Sequence, residues 1–455
     1  MTGVALERST EARRTTGAAS VVLAAVLAVG AVALADRQQR FATDPVASAL
    51  NPATLVPGYG PANFDAALAA AERKVAAKRE LLAQEPDDWL RIEGVARALL
   101  QRARLTASAP DMAEANRLLE RGMELAPWPA GPVLSRAGAA LTVHDLAEAE
   151  QTLDRFDAAV VLAAASEAAE ERGIRCEIAY ERGAFAQARE LCGTGGDLSV
   201  GLRRANLALG SGDPATAAAI VEAALRQPRQ TPLQLANLML QRTAIALAAG
   251  EWENAGRWAR AAEQVFPGYW LAQAYVAQSR ALEGDTAGAE AAYRQIAGRT
   301  GNPDVHGALV VLAEARGDGA AARHYLQQAG KGWAERVSLL PQTYANHYAE
   351  YQALTGNVAG ALRTAEADYA RRPFLPVMTD YVFVLGKAEQ WGRIVEVVRR
   401  GELAGYRSAT LKLAAAHALA QLGRPGDAAR MRAAGLRMNP RVEDPRQAFV
   451  HFRQD

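Results

Sequence analysis

One short phrase recurs along this 455-residue chain and restricts its fold more than any other feature. A small or polar residue is followed by a variable position, a bulky residue, two more variable positions and an alanine. The clearest copies are Gly183-Ala-Phe185-Ala-Gln-Ala188, Gly250-Glu-Trp252-Glu-Asn-Ala255 and Gly356-Asn-Val358-Ala-Gly-Ala361. Looser copies start at Pro110, His144, Gly212, Gly284, Gly317, Glu389 and Gly423. Successive starts lie 29 to 39 residues apart and average about 35, a period of stacked supersecondary units. Each phrase follows one apolar helical run and opens another. Pro127, Pro228, Pro267, Pro373 and Pro440 close the second run, as a residue that cannot continue a helix should.

Composition agrees with this reading. The chain has 103 alanines, the strongest helix former, and half its residues are apolar, so an all-α fold with a substantial core is expected. The formal charge is +1, which excludes the basic footprint of a nucleic-acid-binding domain. Two cysteines cannot build a disulfide framework or a four-cysteine zinc site.

The period and these residues resemble the tetratricopeptide repeat (TPR), a helix-turn-helix unit. The best match is residues 236–267, where Gly250, Trp252, Ala255, Ala262 and Pro267 stand at the family's spacing. The resemblance spans roughly residues 87 to 440. Arg242 and Arg280 depart from it, standing where the family prefers large apolar side chains. It implies a right-handed α-solenoid of about ten TPR-like repeats, in which each helix pair buries its apolar face only against its neighbours. The block Phe64–Gln84 then reads as an N-terminal cap or half of a degenerate repeat. The expected organisation is residues 1–35 as signal peptide or signal-anchor helix, 36–62 as a Pro/Gly-containing linker, 63–440 as the solenoid and 441–455 as a tail covering the last helix.

The N-terminal assignment rests on Gly17 to Ala35, nineteen uncharged residues preceded by Arg8, Arg13 and Arg14 and ending in Ala33-Leu34-Ala35. A basic flank, an apolar stretch and a small-x-small end describe a secretory signal. The same stretch is long enough to cross a bilayer as one helix. Both alternatives place the remainder of the chain in the bacterial cell envelope: anchored in the inner membrane facing the periplasm, or periplasmic or secreted after cleavage near Ala35. Membrane contact is expected only through residues 17–35, and only if they are retained.

Signatures of catalysis are missing from the sequence. His144, His306, His324, His347, His417 and His451 include no i,i+4 pair and no His-Glu-x-x-His phrase, so no metal is expected. There is no Gly-x-Ser-x-Gly and no phosphate-binding loop, and Gly193-Thr-Gly-Gly196 reads as a connection between helices. The carboxylates read as solvated. An enzyme is therefore not expected, nor any cofactor. An active site hidden between repeats would appear as a deep pocket with converging carboxylates or histidines. Cys176 and Cys192 fall at facing levels of one repeat and fit two readings: small apolar core residues, or a disulfide formed in an oxidising compartment.

In TPR proteins the first helices usually line a concave groove that holds an extended peptide or a partner helix. By this resemblance, the groove candidates are Asn237, Gln278, Asp304, Thr343, Asn346, Glu350, Lys387, His417 and Gln421. The set is polar and of mixed sign, without the Lys/Arg stripe that would capture an acidic terminus. The expected role is a non-catalytic scaffold or adaptor of the cell envelope that binds a protein or peptide. The alternative is an accessory subunit of an envelope or exopolysaccharide assembly or export apparatus, which aromatic platforms in the groove would favour.

Overall fold

In the computed structural model, residues 50–159, 163–193 and 198–452 are described. The proposed leader, Gly17 to Ala35, lies outside them. Residues 52–455 belong to one compact unit. Among the described residues there are helices and no strands, and no helix is long and apolar enough to cross a membrane.

Helix α1 (Phe64–Gln84) begins where Asn63 accepts the Ala66 N–H, a side-chain cap that satisfies one of the orphan donors of the first turn. Ten hairpins follow. The first joins α2 (Trp89–Thr106) to α3 (Ala109–Leu125), and the second joins α4 (Val133–Thr142) to α5 (Leu146–Asp157). Next come α6 (Ala165–Glu181) with α7 (Phe185–Cys192), α8 (Leu198–Gly210) with α9 (Pro214–Leu225), and α10 (Pro232–Ala248) with α11 (Trp252–Val265). The sixth to eighth are α12 (Trp270–Leu282) with α13 (Thr286–Thr300), α14 (Pro303–Ala315) with α15 (Gly319–Leu339), and α16 (Pro341–Leu354) with α17 (Val358–Arg371). The last two are α18 (Leu375–Lys387) with α19 (Trp391–Ala404), and α20 (Ala409–Gln421) with α21 (Pro425–Met438).

The repeat phrase marks the turns of these hairpins. Nine of its ten starts carry a positive φ, including the non-glycine residues His144 and Glu389. In the first hairpin the left-handed residue is Ala107, three positions before Pro110, because α3 begins one turn earlier than the phrase implies. The alanine that ends the phrase is where the two helices cross. Ala115, Ala149, Ala188, Ala217, Ala255, Ala289 and Ala361 are all completely buried, leaving no room for a larger side chain. Arg242 is accommodated in the core by pairing: its Nε lies 3.0 Å from Glu222 and its guanidinium lies over Trp258. The exposed Arg280 instead pairs with Asp285 at its own turn.

Contacts between distant hairpins are offset by five or six; those at the turns follow one order along the chain. At the turn of hairpin 2, the Val143 carbonyl accepts from Thr343, just after hairpin 7. Gly183, at the turn of hairpin 3, abuts Pro373 after hairpin 8. Beside the turn of hairpin 4, the Gly210 carbonyl accepts the Arg407 N–H at 2.7 Å, after hairpin 9. The turn of hairpin 5 meets the loop after hairpin 10, where a Cβ on Gly250 would overlap the Asn439 side chain. Gly250 therefore needs to be glycine twice over, for its φ of +78° and for this approach. A similar Cβ on Gly284, Gly317, Gly356 or Gly423 would meet nothing within 4 Å among the described residues. The first hairpins thus carry a seam that the last ones lack.

The seam corrects two expectations. Part of the predicted linker is held against the body: Gly58 N–H bonds the Gln230 carbonyl at 2.8 Å and Phe64 N–H bonds the Pro267 carbonyl at 2.9 Å. The tail meets the last helix through the Glu443–Arg432 pair but does not stop there. It runs along hairpins 5 to 7, where Arg441 pairs with Glu253 and Arg446 donates to the Leu282 carbonyl beside the turn of hairpin 6.

Candidate functional site

The first helices form the inner face of the array, and the seam divides that face into three regions. The first is occupied by the tail. Gln278, completely buried on α12, accepts the main-chain N–H of His451 at 2.7 Å and of Phe452 at 2.6 Å, and donates to the Phe452 carbonyl at 3.1 Å. The Phe452 ring packs against Tyr275 and Tyr293. Gln278 therefore does not line an open groove, as expected from the sequence. It clamps the backbone of His451 and Phe452, which follow the short 3-10 helix Pro445–Phe449.

The second region is a chamber of roughly 420 Å³ between the first helices of hairpins 2 to 5 and the loops that the seam brings against them. Of the predicted groove residues, Thr343 and Asn346 lie here. The Thr343 hydroxyl is engaged by the Val143 carbonyl, and Asn346 donates to Asp380 at 2.8 Å. The chamber also gathers Glu177 and Glu181 from α6 and His144 from the turn of hairpin 2. His144 Nδ1 is 2.9 Å from Glu181, which is 3% exposed. Arg372 is almost fully buried beside them, held by Asp368 through bonds of 2.8 and 3.0 Å. Glu177 keeps about a fifth of its side-chain surface (21%), but that surface faces the chamber. Burial raises its pKa to about 7 against the pull of Arg203, with Glu181 adding to the rise. The expectation that the carboxylates are solvated is thus corrected for Glu177, Glu181 and Asp368. The partners of Glu177 and Glu181, Arg203 and His144, sit in other repeats, out of reach of local sequence patterns, whereas Asp368 pairs with Arg371 and Arg372 three and four residues on.

The third region is an open groove of roughly 880 Å³ on α16, α18 and α20, lined mainly by apolar side chains. It holds Glu350, Lys387 and His417 from the predicted set. Lys387 Nζ lies 5.3 Å from the Phe383 ring centroid, and His417 meets Trp391 edge-on at 5.3 Å. Phe383 and Trp391 were not among the sequence candidates, although Phe383 is one helical turn before Lys387 on the same face and Trp391 is the bulky residue of the phrase at Glu389. The remaining candidates fall outside both cavities. Asn237 and Gln421 are exposed, and Asp304 is half-buried in the first turn of α14, its N–H bonded by Asn302.

Cys176 is buried within α6, and Cys192 is the last residue of α7 rather than its middle. Their Cα atoms are 5.4 Å apart and their sulfurs are bonded.

No family model matches the sequence, and no curated protein does. Among solved structures, the chain is similar to yeast Tom70, at 12% identity over 84% of this chain and 91% of that one, with a TM-score of 0.36. It is also similar to the APC/C hetero-tetramer Cut9-Hcn1, at 14% identity over 85% and 95%, with a TM-score of 0.32. A tetratricopeptide repeat protein from Parabacteroides merdae matches at 12% identity over 56% of this chain and all of that one, with a TM-score of 0.34. Superpositions this loose transfer neither partner nor activity. The repeat architecture stands on the chain's own geometry, ten hairpins whose left-handed turns and buried crossing alanines recur at the period of the sequence phrase.

Proposed function

We propose that the chain is a non-catalytic scaffold of the bacterial cell envelope that binds a protein or peptide partner on its inner face. The observation that carries this reading is the tail. A backbone amide clamp and an aromatic pocket on hairpin 6 hold His451 and Phe452 of the same chain, a polypeptide ligand of the kind this reading assigns to the face. The groove on α16, α18 and α20 offers the partner an unoccupied surface of the same origin, with Phe383 and Trp391 as apolar anchors and Lys387 and Glu350 as polar contacts. The leader-like segment Gly17 to Ala35 supports the envelope setting, and a bonded Cys176–Cys192 pair suits an oxidising compartment.

A second reading draws on the same aromatics. Phe383 and Trp391 could stack on sugar rings, as an accessory subunit of an envelope or exopolysaccharide apparatus would require. Affinity capture of the intact protein from its own membrane fraction, compared with Trp391→Ala, separates the two. Scaffolding predicts a protein that cross-links at Lys387 and is lost in the variant. A captured glycan with no protein above background favours the second reading and sinks the first. N-terminal sequencing of the same sample tests the leader, with Asp36 as the first residue if it is cleaved.

A further inference from the structure

We infer that the closed chamber is a binding site for a small organic cation bearing two or more N–H donors, such as a short diamine. This does not rest on the scaffold reading: Thr379, Asp380 and Thr410 line both cavities, but Glu177, Glu181 and Asn346 line the chamber and not the groove.

The chamber has the volume of a small-molecule site. Its hydrogen-bonding groups are unevenly used. On the donor side, Arg372 is held by Asp368, Arg407 donates to the Glu402 and Tyr406 carbonyls, and the Asn346 amide N–H₂ donates to Asp380. On the acceptor side, Asn346 Oδ1 and Gln447 Oε1 are buried without a hydrogen-bond partner among the described residues. Asn346 is 6% exposed, and its amide cannot be flipped, because that would set its oxygen against the Asp380 carboxylate. An unsatisfied buried carbonyl is destabilising, so an occupant that donates to it is favoured.

Charge points the same way. Glu177, Glu181 and Asp380 line the chamber; of the basic groups beside them, Arg372 is paired with Asp368, His144 with Glu181, and Arg407 donates to the Glu402 and Tyr406 carbonyls. Leu209, Leu247 and Phe374 supply an apolar middle. Acceptors and carboxylates around an apolar span suit an ammonium or guanidinium group at each end of a short methylene chain. An anion would meet the same carboxylates and gain no partner for Asn346 Oδ1.

The test is isothermal titration of the full-length protein with 1,5-diaminopentane, glutarate and 1,5-pentanediol, which share a five-carbon length and differ in charge. The diamine is expected to bind with one-to-one stoichiometry, and the dianion and diol more than ~10-fold more weakly, a gap of about 1.4 kcal/mol or more. Glu177→Gln combined with Asp380→Asn should weaken the diamine at least ~10-fold, by the same conversion. Ala248→Trp, which fills the chamber from its lining without altering a charge, should abolish binding; it keeps the test decisive if the double variant does not fold. Trp391→Ala, in the open groove, should leave diamine binding unchanged. Glutarate binding as tightly as the diamine, no diamine heat at all, or full affinity in the filled variant would each overturn the assignment.

Discussion

The closed chamber and the open groove are built from the same part of the repeat, the first helix of each hairpin, yet they present opposite environments. In the chamber, helices of hairpins 2 to 5 meet loops nearly 200 residues away, and polar groups are drawn into the interior. In the groove, on hairpins 8 to 10, the lining is mainly apolar and Phe383 and Trp391 are half-buried. The difference comes from which loops the stacking brings against each inner face, so a near-uniform sequence yields two kinds of surface.

This contrast can be broken most directly at Arg372. Arg372→Met removes two of the hydrogen bonds on Asp368, whose side chain is completely buried, and leaves Arg371 as its charged partner at 2.8 Å; it should lose about 3–4 kcal/mol in denaturant unfolding. Amide exchange should accelerate in α6 and α17 together, since Arg372 lies between Asp368 and Glu181. Lys387→Met, in the groove, should change stability by less than about 0.5 kcal/mol. Comparable losses from both variants would show that the seam is not a distinct stabilising element.

The tail is next in size. Phe452→Ala removes a ring held between Tyr275 and Tyr293 and should cost about 3 kcal/mol if the array unfolds as a unit. Limited proteolysis should then cut near residues 445–452 while the open groove keeps its accessibility. A tail that stays protected in the variant would remove it from the seam.

Replacing Cys176 and Cys192 by Ser should lower stability by about 2–3 kcal/mol, as expected for closing a short loop across a separation of 16 residues. Alkylation of both thiols without reductant would show that the cross-link is not present in the purified protein.

The smallest effect concerns Glu177. Its pKa is raised from 4.5 to about 7, so the stability this group contributes is present below pH 4.5 and is lost as pH rises through about 7. The groups that set the shift are Glu181 on its own helix and Arg203 on α8; Tyr406 faces it from the loop after α19. Glu177→Gln should therefore raise the melting temperature at pH 8 by about 1–2 °C and flatten its fall between pH 5 and pH 8. An unchanged pH profile would place the carboxylate in ordinary solvent contact.

Much of the fold was legible because its signals are local. A left-handed turn followed five residues later by a crossing alanine can be read from six consecutive residues, and Asn63 announces the start of α1 in the same way. The site was legible only in part. Counting back from the turns placed Lys387 and His417 in the open groove and Asn346 in the chamber. It could not separate them, and it put Gln278 on an open surface that the tail in fact covers. Glu177 and Glu181 looked like any other helix-face carboxylates, since Arg203 and His144, which meet them, belong to neighbouring hairpins.

By itself, then, the sequence determined the repeating unit: helix, left-handed turn, helix, with alanine wherever two backbones must approach. Only the tertiary structure decided which inner faces are covered. Stacking each pair on the next adds a small rotation that no single repeat encodes, and five or six such steps bring distant loops together. The resulting seam encloses Asn346 and Glu177, draws the tail onto Gln278, and leaves Phe383 and Trp391 in the open groove.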